Sequence, residues 1–401
     1  MNFLFVTRGI EVMNYIRGGG CVRSTLLIEA LSKLGHVDVI SFVKEPVEST
    51  VPNCDVIFRG ETPKGVLTLR DRVLLNLRLF FTPWSPKGYY SIDKEQEDIV
   101  SRFYNAKHYD YVVCRYIWEA VSCGLMRYED HLIIDVDDNL VSALKRDLAK
   151  SSNYHIRARI KLLWKTLMIE KMQQHVLKRV KLSFYSNERE PPYKKSVYLY
   201  NVPLLSSPCS DVTRSTQMRL LFVGNLDLFP NRNGILHFVK TILPIIKERV
   251  PTVELDIVGL CKDPEIRLQL CSINGVNVCG FVNDLQEEYQ NCRVVIVPIY
   301  HGSGTSIKFI EGVMMNRPVV ATPVGARGFD GVFQSNKHFL LAKSDREFAD
   351  CVVNVLSDME NANLMAREAY EMGKAHFSKS GFFSVVIGSI NAITEHQSSL
   401  K

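Results

Sequence analysis

The sequence contains no long apolar run, no CxxC pair and no HExxH or mixed Cys/His spacing. Each absence removes a class of protein. A helix that spans a bilayer needs ~20 apolar residues, and the longest apolar runs here, such as Val294–Pro298, fall far short. The ten Cys are scattered and the ten His stand apart, which argues against a disulfide scaffold or a zinc site. There is no GxSxG turn to carry a hydrolase serine, and no Lys at the place a Walker A loop requires. No nucleic-acid-binding module is recognisable. Met1 leads straight into the strand-like run Asn2–Thr7, without a secretory leader. The expectation is a cytoplasmic protein with reduced thiols, whose contact with a membrane, if it makes one, is peripheral.

What is present is ordinary in bulk and uneven in detail. A chain of 401 residues exceeds one ordinary core, so two domains are expected. A hydrophobic content of 46% and a charged content of 23% fit a globular protein. Lys and Arg outnumber Asp and Glu by 49 to 43, but Ser142–Lys195 alone holds 14 basic against 4 acidic side chains. That local excess is larger than the whole net charge, so the rest of the chain is slightly acidic. Two readings stand: a solvated basic helix, or a surface that faces anionic lipid or an anionic substrate.

Periodicity shows the same rhythm twice. Asn2–Thr7 reads as a strand, Val22–Leu34 as a helix stopped by Gly35, and Val37–Val43 as a second strand. Further strands are expected at Val56–Arg59, Tyr111–Cys114, Leu132–Val136, Leu182–Tyr185 and Val197–Tyr200, with a long helix over Tyr154–Arg179. Leu67–Phe81 reads as an amphipathic surface or lid segment. Pro191-Pro192 and the Pro/Ser-rich Pro203–Ser210 punctuate the chain, and a domain boundary is placed there. The second half restarts with strands at Arg219–Val223, Val253–Val258, Val276–Cys279, Val294–Pro298 and Pro318–Thr322. Helices are expected at Asn233–Glu248, despite Pro244, and at Leu285–Tyr289 and Ser306–Met315. From Ser344 onward the reading is all helix. Strands that are continuous apolar runs, alternating with helices, imply two parallel α/β halves.

Ligands of such sheets sit at the carboxyl ends of strands, so the loops after strands carry the argument. Tyr300-His-Gly-Ser-Gly-Thr-Ser306 lies between a strand and a helix. Gly302 and Gly304 allow close backbone approach, and the free N–H groups of the following helix favour an anion. Lys308 and Glu311, three apart, share a helical face near that end; the first suits a phosphate and the second the vicinal hydroxyls of a ribose. His301 is either a donor to phosphate or sugar, or a cap for its own turn. A second Gly-rich loop, Thr322–Gly328, follows the next strand, and a third, Gly224–Gly234, follows the first strand of this half. Within the third, Arg232 is either a diphosphate contact or a solvated side chain. Gly18, Gly19 and Gly20 precede the first helix and either line a cleft or serve a turn. Asp135, Asp137 and Asp138 end a strand. Asp135 sits in an apolar run, as a structural carboxylate would; Asp137 and Asp138 suit acceptor contact or loop capping, and a metal site is the weaker alternative.

These motifs resemble the retaining glycosyltransferases of family 4, which have the two-Rossmann-domain GT-B architecture. The resemblance spans nearly the whole chain. It is carried by Arg17–Phe42 (RGGGCVRSTLLIEALSKLGHVDVISF), by Leu220–Val239 and, most specifically, by Ile296–Phe329 (IVPIYHGSGTSIKFIEGVMMNRPVVATPVGARGF). It implies an α/β fold of two Rossmann-like domains facing a central cleft. Residues 1–203 would bind the acceptor, 204–376 the nucleotide sugar, and a helix over 377–401 would pack back on the first domain. It also implies that Lys308 holds phosphate, that Glu311 holds the ribose, and that the Gly302–Thr305 backbone, including Ser303 and Gly304, lies at the diphosphate and sugar. Gly18–Gly20 would face the phosphate from the other domain. Gly224, Asn225 and Arg232 complete the expected donor site; Lys308, Glu311 and His301 are the expected catalytic set, with Asp137 and Asp138 on the acceptor side.

The sequence departs from the family at three places. Ser303 stands where many members carry the first of two Glu eight residues apart, and Asn225 and Asn233 stand where many carry Arg and Lys. Arg232 or Arg327 would then supply the missing charge. The resemblance implies front-face transfer with retention from a UDP- or GDP-sugar to a glycan or lipid-linked acceptor, with no metal or other cofactor. Assembly of a bacterial surface polysaccharide at the inner membrane face suits that chemistry. A sugar-nucleotide epimerase or phosphorylase on the same architecture, or a silent binding subunit, are the alternatives.

Overall fold

The computed structural model describes residues 1–8, 19–43, 51–60, 93–137, 140–150, 155–186, 195–203, 208–209, 217–282, 284–302 and 305–398. Leu67–Phe81, Pro191-Pro192, Gly18, Asp138, Ser303 and Gly304 lie outside the described residues. The chain forms two compact units. One comprises Met1–Tyr200 with Phe382–Lys401, and the other comprises Asn201–Gly381.

The first unit holds seven strands: β1 (Asn2–Thr7), β2 (His36–Ser41), β3 (Cys54–Arg59), β4 (Tyr111–Arg115), β5 (Leu132–Asp137), β6 (Leu182–Tyr185) and β7 (Ser196–Tyr198). Their order is β3-β2-β1-β4-β5-β6-β7, and every described pairing is parallel. Both faces are covered by helices, which is why β1 and β4 read as unbroken apolar runs and are buried along nearly their whole length. The last helix of the chain, Lys379–Ser398, belongs here from Phe382 onward. Phe382, Val386 and Ile390, spaced by four, are buried. Tyr111 on β4 pairs its hydroxyl with Thr394 at 2.9 Å, and Lys33 lies 5.3 Å over the Phe383 ring.

The second unit holds β8 (Arg219–Val223), β9 (Glu254–Val258), β10 (Val276–Gly280), β11 (Val294–Val297), β12 (Val319–Ala321) and the two-residue β13 (Leu340–Leu341), in the order β10-β9-β8-β11-β12-β13. The pairings are again parallel. Chain order reverses between β8 and β11, so the loops after these two strands flank the crevice where a ligand of such a sheet binds. The expected helix Asn233–Glu248 is broken: Phe229–His237 passes through a π-turn at Phe238–Ile242 into Leu243–Arg249. Pro244 is the physical reason, since it offers no N–H and its ring crowds the carbonyl four residues back.

Candidate functional site

The second unit assembles its site from the ends of β8 and β11. The first contact is a close approach of backbones. Gly259, just past β9, has φ +135°, and a Cβ there would lie 2.2 Å from the Gly224 carbonyl. A Cβ on Gly234 would lie 2.1 Å from the Pro298 carbonyl, so the helix after β8 rests directly on the end of β11. The helix Ile307–Met314 sits equally close to the sheet: a Cβ on Gly312 would meet Val319 and Val295. Phe309, Ile310 and Val313 bury its sheet-facing side, which leaves Lys308 and Glu311 half-buried beside the strand ends.

Lys308 reaches across to β8. Its ammonium donates to Asn231 Oδ1 at 2.9 Å and lies 5.5 Å from the Phe222 ring centroid. Asn231 in turn donates to the Asn225 carbonyl at 2.9 Å, and the Asn225 side chain accepts from the Asp227 amide at 2.8 Å. Enclosure lowers the Lys308 pKa to about 8, with the Glu311 carboxylate opposing the shift. The Glu311 carboxyl accepts from the fully buried Tyr289 hydroxyl at 3.1 Å. Burial raises its pKa, while Tyr289 and Lys308 pull the other way. Behind it, the buried Arg317 donates to the Tyr289 carbonyl at 2.6 Å and to the Gln290 carbonyl at 3.1 Å. Tyr289 is thereby held as a strut under Glu311.

The loop after β11 is held by its neighbours. Gly302 has φ +130°, a conformation that suits glycine, and its carbonyl accepts from Arg327 at 3.0 Å. The exposed His301 ring lies 5.6 Å from Phe229. Thr305 accepts from Asn201 at 3.1 Å. Ser306 caps the following helix with extended backbone, yet its buried hydroxyl has no hydrogen-bond partner among the described residues. In the next loop, the Thr322 hydroxyl donates to the Ile299 carbonyl and accepts from the Gly325 amide. The structure therefore brings Lys308 close to Gly224, joins it to Asn225 through Asn231, and sets Glu311 on the same helix. It brings Asn231, rather than Arg232, to the ammonium. Asn231, Tyr289, Arg317, Asn201 and Ser306 were not singled out in the sequence. Asn231 and Ser306 lie within the expected loops but carry no charge to mark them, and the fold brings Tyr289, Arg317 and Asn201 to the site from elsewhere.

In the first unit, the carboxylates at the end of β5 are paired. Asp135 is wholly buried, and Arg23 grips both its oxygens at 2.7 and 2.8 Å while Arg115 donates at 3.0 Å. Arg115 also donates to Asp137 at 2.5 Å. Burial disfavours both guanidinium charges, but the two carboxylates outweigh it and raise their pKa values. The weaker alternative of a metal at Asp135 meets two guanidinium groups where the cation would sit. Asp137 (φ +55°) and Tyr116 (φ +63°) both hold backbone conformations that cost a non-glycine residue, at the carboxyl ends of β5 and β4. Gly19 and Gly20 form the first residues of the helix Gly19–Ser32 in this unit.

Residues 217–358 match the family model of the glycosyl transferases group 1. A curated relative from Klebsiella pneumoniae, described as an uncharacterized 44.6 kDa protein in the cps region, is 21% identical over 385 residues, covering 92% of this chain and 95% of that one. Among solved structures, sucrose-phosphate synthase from Thermosynechococcus elongatus superposes with a TM-score of 0.65 at 16% identity, with full coverage of both chains. HepE from Anabaena, in complex with UDP and glucose, superposes at 0.57 with 14% identity and full coverage. WaaG, a glycosyltransferase involved in lipopolysaccharide biosynthesis, superposes at 0.59 with 13% identity, covering 98% of this chain and 99% of that one. The two parallel sheets with their helices match the GT-B fold of these solved structures.

Proposed function

We propose that this chain is a retaining glycosyltransferase that moves a sugar from a nucleoside-diphosphate sugar to a hydroxyl of a glycan or lipid-linked acceptor. The observation that carries the reading is the group of donors at the sheet switch point. Lys308 reaches the end of β8 from the first turn of the helix behind the β11 loop, and the Ser306 hydroxyl at the same helix start lacks a partner among the described residues. A diphosphate there would meet a cation, the Ser306 hydroxyl and the positive end of a helix together. Glu311, braced by Tyr289, is placed to accept from ribose hydroxyls.

In the proposed reaction the bond between the sugar C1 and the diphosphate oxygen breaks. The acceptor oxygen bonds to C1 from the same face, and its proton passes to the departing diphosphate. The residues of this chain stabilise the charge that develops on the leaving group, with Lys308 already in place before the reaction. The family match and the fold support transferase chemistry. The UDP bound by HepE makes UDP-sugars the first donors to test, and the cps-region relative together with WaaG points to polysaccharide assembly.

A catalytically silent subunit that keeps the fold but has lost the nucleotide site is the second reading, favoured by Asn225, which spends its side chain on a local turn instead of supplying charge. Calorimetry with UDP and GDP separates the two, because a silent subunit that has lost the site binds neither. The direct test is Lys308→Ala, with Lys308→Gln to keep the packing. Transfer should slow by roughly 10²–10³ with unchanged circular dichroism, the scale of one oxyanion-type donor. Normal turnover in both variants would overturn the assignment.

A further inference from the structure

The feature left unexplained by sugar transfer is the long helix Ile156–Leu177 of the first unit. Its second half packs inward through Ile169, Met172 and Val176. Its first half does the opposite. Ile156, Ile160, Leu163, Trp164 and Leu167 are between 42% and 72% exposed. Their spacing of three and four places them in one stripe, roughly opposite the buried face. Five large apolar side chains aligned on one exposed helix face are unlike the singly scattered apolar residues of an ordinary surface.

The charges around the stripe select its occupant. Arg157 and Arg159 are exposed and flank it on either side, and Lys171, also exposed, extends it one turn beyond Leu167. Lys161 and Lys165 add to the same half of the helix, and no Asp or Glu occurs between Ile156 and Leu167. Two copies meeting through this stripe would press like charges together. Nucleic acid would leave the apolar residues without a role. We propose that this face docks on an anionic lipid surface, with the helix lying in the plane of the interface. The apolar stripe then enters the acyl boundary, Trp164 sits at headgroup depth, and the flanking Arg and Lys pair with lipid phosphates. Docking of this kind holds the first unit beside lipid-linked molecules, and it does not depend on the donor-site assignment.

The test uses the full chain with two vesicle types, phosphatidylglycerol mixed with phosphatidylethanolamine, and phosphatidylcholine alone. The chain should sediment with the first and not the second, and added salt should weaken binding. The combined variant Arg157→Gln, Arg159→Gln, Lys171→Gln should bind about 100-fold more weakly, since each basic side chain near an anionic surface contributes about fivefold. In a Trp84→Phe, Trp118→Phe background, Trp164 emission should shift to the blue on binding. Leu163→Ser with Leu167→Ser should abolish that shift. The proposal is overturned by failure to sediment, by equal binding to phosphatidylcholine, or by unshifted Trp164 emission in the bound chain. A concentration-dependent dimer abolished by the two Ser substitutions would overturn it in favour of a second copy.

Discussion

Lys308 is the residue on which the proposed donor site turns, and its environment makes it sensitive to pH. A pKa of about 8 means the ammonium is charged at neutral pH and loses its proton just above it. In the proposed site a diphosphate would bind the charged form, so binding and protonation would be linked. The sign follows: affinity is full below pH 8 and declines above it. Calorimetric titration with UDP should show an association constant that falls toward tenfold per pH unit past pH 8. Lys308→Arg should remove the break, because its guanidinium stays charged throughout. An unchanged break in the Arg variant would assign the titration to another group.

Lys308 and Glu311 are legible in the sequence because one turn of helix after a Gly-rich loop fixes their common face. Asn231 and Tyr289 are not. They reach the site from 77 and 22 residues away, and their partners are decided by how the helices rest on the sheet. Sequence reasoning weighed Arg232 instead, following the expectation that charge seeks phosphate. A neutral amide that holds the ammonium by its carbonyl gives no such signal.

At the scale of elements, what could be read depended on burial. β1, β6 and β8 run over the residues expected of them, since strands covered on both faces are uninterrupted apolar runs. The helix Lys94–Ala106 was not expected, although Ile99, Val100, Phe103 and Tyr104 recur at helical spacing and pack on the core. Its signature was the cap, where Asp93 accepts from the Gln96 amide at 3.3 Å and Glu95 and Glu97 follow in the first turn. β13 is two residues long, too short for any period.

The glycines at strand ends give this scale its own test. Gly259→Ala would place a methyl group against the Gly224 carbonyl in a left-handed backbone conformation. It should destabilise the second unit by about 1–3 kcal/mol. Gly388→Ala, in the last helix with nothing within 4 Å of the new Cβ, should instead stabilise the first unit by about 0.5–1 kcal/mol. Urea unfolding followed separately in each unit would show the opposite signs; equal effects would contradict the close approach of β8 and β9.

For the molecule as a whole, the chain leaves the first unit at Tyr200 and rejoins it at Phe382. A chain ending at Gly381 should therefore harm the unit farthest from the cut in sequence. It would uncover the surface that Phe382, Val386 and Ile390 now bury. Hydrogen exchange should then accelerate along β1 and β4, while β8 and β11 keep their protection. Uniform loss across both sheets would contradict the division. The double α/β rhythm was visible in the sequence because each half repeats apolar strands and helices. The helical tail was long enough to suggest a return to the first half, but its contacts there were not visible in its own residues.

That returning helix also sets an order for folding during synthesis. Domains usually complete themselves in the order in which the ribosome delivers them. Here the first sheet is delivered first but must wait for the last helix to seal it. The second unit, contiguous from Asn201 to Gly381, is delivered whole in the meantime. The nascent first unit thus spends the interval with apolar surface open, and it is this half, though made earliest, that most needs a chaperone's protection.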